Sequence, residues 1–237
     1  MIRSAVLFLG CFLIIFGIVD CLSSVEYKSY VRANGAARYV YLTNICAYVS
    51  IVCFTFGLIL RIGKVITAKR YFFARLTTLR KQLVLRRCYV SVLPFMLTVN
   101  STVMSGYWYL FFTDQDSIVT REPGTDHKPN TFINLCKHFV PWIVTLIEAL
   151  FVRARYTVRT FAAVVVFAVL YYTLIRTYHA HSGKWPYKFF NGQSYTKVLV
   201  LVCVFALAGL VIAYTILKVH EFVRRNYLDR QKSNKPG

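Results

Sequence analysis

The chain has 237 residues, 57% of them hydrophobic, with 17 Tyr and 19 Phe among them. Charged residues make up only 16%, against roughly 25% in an ordinary soluble domain, which argues against a cytosolic globular enzyme. The 29 Lys and Arg outweigh 9 Asp and Glu and leave a net charge of +20; this excess points to an anionic partner, and the apolar content selects lipid headgroups over nucleic acid.

Apolar residues come in six long runs, at 4–22, 38–60, 88–112, 131–152, 160–178 and 195–222. Each approaches or exceeds the about 20 residues that a membrane helix needs, and the last can tilt or extend into water. The runs are continuous rather than alternating. The expected fold class is therefore all-α, one integral membrane bundle of six helices spanning residues 1–237, and not a β-barrel. The first run follows Arg3 and precedes Ser23 and Ser24. Its apolar core is longer than the about 7–15 residues of a secretory signal, so it is read as a retained span.

Loop charges set the orientation. Between the second and third runs lie Arg61, Lys64, Lys69, Arg70, Arg75, Arg80, Lys81, Arg86 and Arg87, with no acidic residue. Arg153, Arg155 and Arg159 follow the fourth run, and Arg224, Arg225, Arg230, Lys232 and Lys235 follow the sixth. The positive-inside rule places these regions in the cytoplasm, with both termini. Residues 113–130 instead carry Asp114, Asp116, Glu122 and Asp126 and are expected in the lumen or outside. Within 64–87, Val65, Phe72, Leu76, Leu79 and Leu83 recur at helical spacing opposite Lys and Arg. That pattern fits a basic amphipathic segment on anionic cytoplasmic lipid, or equally a solvated extension of the third span.

The seven cysteines form no C-x-x-C pair, and no zinc spacing, P-loop, dinucleotide fingerprint or nucleophile elbow is present; neither metal nor cofactor is expected. The sequon Asn100-Ser101-Thr102 falls in mid-span, where glycosylation does not reach. Ionisable residues inside spans are the functional candidates, because burying them in hydrocarbon is costly. They are Asp20, Lys137, His138, Glu148, Arg176 and His179. Thr43 lies about 7–8 Å into the second run from its luminal start, and His138 about 12 Å into the fourth. A hydroxyl and an imidazole at matched depth are the minimum parts for nucleophilic acyl transfer. Asn134, four residues before His138, falls on the same helical face and could orient the ring or donate to an oxyanion. Glu148 is about 15 Å further along that helix, too far to serve His138; a structural partner on the cytoplasmic side suits it better.

Three stretches carry a resemblance. Gly35-Ala-Ala-Arg-Tyr-Val-Tyr-Leu-Thr43-Asn44, Thr131-Phe-Ile-Asn134-Leu-Cys-Lys-His138 continuing to Leu146-Ile147-Glu148, and His179-Ala-His181-Ser-Gly183-Lys-Trp185-Pro-Tyr187 occur in order, with Val92-Leu93-Pro94 between the first two. Together they resemble the androgen-induced gene 1 / androgen-dependent TFPI-regulating protein family of multi-pass membrane threonine hydrolases, over nearly the whole chain. The resemblance implies hydrolysis of fatty acid esters of hydroxy fatty acids or similar acyl esters, with Thr43 as nucleophile and His138 as base. It implies support or substrate binding from Asn134, His179, Trp185 and Tyr187, although Trp and Tyr at that level also suit an aromatic belt. The chain departs from the family pattern at Leu135, Ala180 and Lys188, which bears on substrate preference more than on reaction type. The expected partners are a lipid ester and membrane lipids, anionic on the cytoplasmic face, in the endoplasmic reticulum or plasma membrane. The alternative is a non-enzymatic small transporter or lipid-binding protein, which requires a polar path across the membrane.

The orientation is directly testable. Single cysteines placed at Arg75 and Glu122 of a chain whose seven native cysteines are replaced by serine or alanine are expected to react with an impermeant maleimide from the cytoplasmic and the luminal side respectively. Luminal labelling at position 75 would invert the assignment.

Overall fold

The computed structural model describes residues 2–23, 37–68, 72–113 and 131–233. Among these no strand occurs, and six helices are long and apolar enough to cross a membrane. They are α1 (Ile2–Ser23), α2 (Leu42–Ala68), α3 (Phe72–Thr113), α4 (Thr131–Val152), α5 (Val158–Ser182) and α6 (Tyr195–Ser233). The chain is thus a multi-pass membrane protein. Its lipid-facing surface follows from the apolar runs: Phe8, Phe12, Val52, Val165, Val169, Leu170, Val204, Leu207 and Val211 are all exposed on the bundle, an arrangement that only hydrocarbon solvates well.

Several helices outrun the apolar stretches that announce them. The second begins at Leu42 rather than 38, after a separate turn Ala37–Val40, with the break at Tyr41. The Tyr41 carbonyl accepts from the Asn44 and Ile45 N–H groups, both at 3.1 Å, so the helix starts there. Residues 72–87 are the beginning of α3, one continuous helix of 42 residues; most side chains of the basic segment 64–87, like the acidic loop 114–130 and the side chain of Asp20, lie outside the described residues. The fourth to fifth connection is short. Arg153 ends α4 in the left-handed conformation (φ 59), and α5 opens on a capping box between Thr157 and Thr160.

Two polar clusters hold the first four helices together. Glu148 on α4 is 1% exposed and accepts from Arg3 of α1 at 2.9 Å. The same carboxylate oxygen accepts from Arg61 of α2, whose other nitrogen donates to the Arg3 carbonyl at 2.8 Å. Glu148 therefore has the structural partnership expected of it, with two arginines. Deeper in the bundle, Asn100 of α3 donates to Ser50 of α2 at 3.1 Å and to Thr145 of α4 at 3.0 Å. In hydrocarbon an unpartnered group has no water to turn to, so these bonds fix helix register as well as proximity. The sequon asparagine is buried and occupied.

The sixth helix is held by shape. A Cβ at Gly209 would sit 2.0 Å from Thr102 Oγ1 and 2.8 Å from the Thr102 nitrogen, so α6 and α3 touch backbone to backbone there. Thr102 Oγ1 also donates across the gap to the Phe205 carbonyl at 3.3 Å. At Gly17 of α1 a Cβ would meet Cys136 of α4 at 2.8 Å. Small residues at such crossings are how membrane helices gain dispersion contact without a hydrophobic driving force.

Removing one partner of a buried ion cluster strands the others. Glu148→Ala is expected to cost about 3 kcal/mol or more, read as a lower Tm in detergent. Adding Arg3→Met and Arg61→Met to that background should restore much of the loss, since no charge is then left unpaired.

Candidate active site

The up-and-down course brings the starts of α2, α4 and α6 and the ends of α3 and α5 to one side of the bundle. There Thr43, the second residue of α2, meets His138 of α4: Thr43 Oγ1 lies 3.5 Å from His138 Nδ1. His138 is 7% exposed. The matched depth expected from the two runs therefore brings the pair into contact.

The local backbone of α4 is unusual. Residues Leu135–Phe139 form a π-helical turn, in which the Val140 N–H reaches the Leu135 carbonyl. Pro141 follows at once and has no N–H with which to continue the α-helical ladder back to Lys137. A wider turn absorbs the missing bond, and π-turns of this kind concentrate at functional sites. This alters the expectation for Asn134. Its placement beside His138 assumed α-helical spacing, which the π-turn does not keep, and no hydrogen bond joins the two side chains. The Asn134 Nδ2 group is instead buried with no hydrogen-bond partner.

Tyr107, near the end of α3, was not singled out by the sequence. Its ring lies flat against the His138 imidazole, with centroids 3.4 Å apart and planes inclined by 15°. The only available signal was an aromatic residue at the outer end of a span, a position that a membrane belt explains equally well.

Tyr187, between α5 and α6, reaches the helix that carries Thr43. Its hydroxyl accepts from the Leu42 N–H at 2.8 Å, one of the donors that the first turn of any helix leaves without an internal partner. Tyr171 of α5 backs it: its hydroxyl lies 3.4 Å from that of Tyr187 and donates to the Val40 carbonyl at 3.3 Å. Burial pushes the Tyr187 hydroxyl up to about 12, so it stays neutral at any working pH. The break at Tyr41, and with it the position of Thr43, is thus fastened from both sides by tyrosines.

His179 and Trp185 stand apart from this pair. Their rings stack at 4.2 Å, and His179 Nδ1 lies 3.1 Å from the Tyr195 hydroxyl. Trp185 packs edge-on against Phe190, which packs against Tyr187. Of the six residues expected at the site, Thr43 and His138 touch, Tyr187 supports Thr43, Asn134 lies nearby on α4, and His179 with Trp185 forms a neighbouring outer layer. No group of three or more potential metal ligands occurs among the described residues.

Comparison with known proteins agrees with the resemblance. No curated protein and no solved structure matches the chain. The family model described as FAR-17a/AIG1-like protein matches residues 4–222, a span that holds all six expected site residues. The chain therefore belongs to the FAR-17a/AIG1-like protein family.

Proposed function

We propose that the chain is a membrane-embedded lipid ester hydrolase in which Thr43 is the nucleophile and His138 its base. The observation that carries this reading is the 3.5 Å approach of Thr43 Oγ1 to His138 Nδ1, made by a half-buried hydroxyl and a buried imidazole from two helices. That distance is long for a hydroxyl donor, as is common before substrate tightens a catalytic contact.

The neutral imidazole carries its proton on Nε2 and accepts the Thr43 proton at Nδ1. Oγ1 attacks the ester carbonyl carbon, and the carbonyl oxygen becomes an oxyanion. The unpartnered Asn134 Nδ2 is the donor this reading assigns to that charge. The C–O bond to the alcohol then breaks, the alcohol takes the proton from Nδ1, and an acyl-threonine remains. Water, deprotonated by His138, attacks the acyl carbon, releases the acid and returns the proton to Thr43.

A triad would use a carboxylate to orient the histidine. Tyr107 serves that purpose here by stacking, because a ring held face to face cannot rotate, and its electron-rich face steadies the imidazolium formed in the transition state. The substrate class that fits is a long-chain acyl ester, such as a fatty acid ester of a hydroxy fatty acid, reaching Thr43 sideways from the outer leaflet. The transport alternative has less support, since Asn100, Ser50, Thr145 and Glu148, which would line a polar path, are bonded to one another or to arginine.

The test uses purified variants normalised to folded protein. Thr43→Ala and His138→Ala are expected to lose turnover by at least about 10³-fold, as when parts of a nucleophile–base pair are removed, while Thr43→Ser keeps part of it. Wild-type turnover by either alanine variant removes the hydrolase reading. Activity should rise with pH as His138 loses its proton, because only the neutral ring accepts one.

A second measurement addresses the supporting tyrosines. Tyr107→Leu and Tyr187→Phe are each expected to lower kcat by about tenfold or more, since small displacements of reacting groups carry that cost, with little change in Tm. Tyr107→Phe keeps the stack and should behave as wild type.

A further inference from the structure

Beyond the Thr43–His138 pair, the same side of the bundle holds a recess of its own. A cleft of about 640 Å³ opens between the end of α5 and the start of α6. Lys184, Asn191, Gln193 and Ser194 line it, over the stacked rings of Trp185 and His179. Two glycines shape its rim. Gly183 (φ 68) and Gly192 (φ 76) both turn the chain through the left-handed region, and neither would place a Cβ within 4 Å of any neighbour. The cleft is open space bounded by polar side chains with an aromatic base, within the range of volumes that hold small ligands.

Its charge is one-sided. The sequence has no acidic residue between Glu148 and Glu221, yet Arg176, Lys184, Lys188 and Lys197 gather at this end. Among the described residues Lys184 makes no ion pair. On the orientation expected from the loop charges this end is luminal, where lysine and arginine are disfavoured. Arg176 already lies over the Tyr195 ring at 5.3 Å, whereas Lys184 in the cleft has no acidic side chain to pair with among the described residues, and an anionic ligand can supply that charge. The helices that end at the cleft expose apolar surface just below it, at Leu174 of α5 and at Leu199 and Val200 of α6. A ligand with a charged end and a hydrocarbon tail satisfies both surfaces.

We propose that this cleft binds the anionic headgroup of a lipid, a carboxylate or a phosphate. Lys184 is its charge partner, Asn191 and Gln193 are its neutral hydrogen-bond donors, and the acyl chain runs down the outside of α5 and α6. The binding requires no turnover and is independent of the chemistry at Thr43.

The full chain in neutral maltoside micelles is titrated with radiolabelled oleate; methyl oleate as the uncharged control and dioleoyl phosphatidic acid as competitor are run on the Thr43→Ala chain, so that neither ester is cleaved to oleate. Oleate is expected to bind at least about tenfold more tightly than methyl oleate, as one charge-assisted hydrogen bond allows. Lys184→Glu should abolish that preference. Lys188→Glu, the same charge change on an exposed neighbour that does not line the cleft, should leave it intact, and so should Thr43→Ala. Displacement of oleate by phosphatidic acid at lower concentration identifies a phosphate headgroup; weaker displacement identifies a carboxylate. Equal binding of oleate and methyl oleate, an unchanged Lys184→Glu, or an equal loss in Lys188→Glu overturns the site. Because Thr43→Ala retains binding on this proposal, failure of the hydrolase reading and failure of the headgroup site are separable.

Discussion

Hydrocarbon supplies no water to complete a hydrogen bond, and that single condition organises the interior of this bundle. Every polar side chain carried into the membrane has to find its partner on another helix or on its own backbone. Asn100 finds Ser50 and Thr145; Trp142 Nε1 finds Ser101 at 3.0 Å; Glu148 finds Arg3 and Arg61. Each of these is a statement about register, because a helix displaced by one residue loses its partner with nothing to replace it. The few polar residues thus specify how apolar helices align, a task that apolar contact alone performs weakly.

The same condition makes the exceptions informative. Among the described residues three buried side-chain atoms lack a partner, Arg3 Nε, the Tyr89 hydroxyl and the Asn134 amide nitrogen, and the α4 backbone next to Asn134 gives up its regular ladder for a π-turn. Asn134 and the π-turn fall on the stretch of α4 that carries His138. Native interiors carry few unpartnered buried groups, and functional sites are where such local costs collect. The Tyr41 break that opens α2 belongs to the same set: it leaves helix N–H groups exposed at the level of Thr43, and a tyrosine from another loop takes up one of them.

Much of this was legible in the chain itself. Helix rise is uniform, so counting residues from the ends of the two runs that adjoin 37 and 131 placed Thr43 and His138 at one depth. The same count puts Glu148 about 15 Å beyond His138 on one helix and so excluded it from the site. Other features had no such signal. The position of a helix break depends on which carbonyl and N–H groups find outside partners, and Tyr187 is far from Tyr41 in sequence. The π-turn answers the N–H that Pro141 lacks, but a proline early in a helix is also tolerated without one. Tyr107 was hidden for a different reason, since an aromatic near a membrane boundary has a general explanation before it has a specific one.

The meeting of α3 and α6 at Gly209 has a consequence for heredity. At this codon even the smallest missense change adds a methyl group where Thr102 Oγ1 already stands, 2.0 Å away. At Val204, Leu207 and Val211, on the exposed side of the same helix, one apolar residue exchanges for another against fluid lipid. Natural variation along α6 should therefore be rhythmic, with intolerant codons recurring at the helical period and marking the buried seam in populations as clearly as in coordinates.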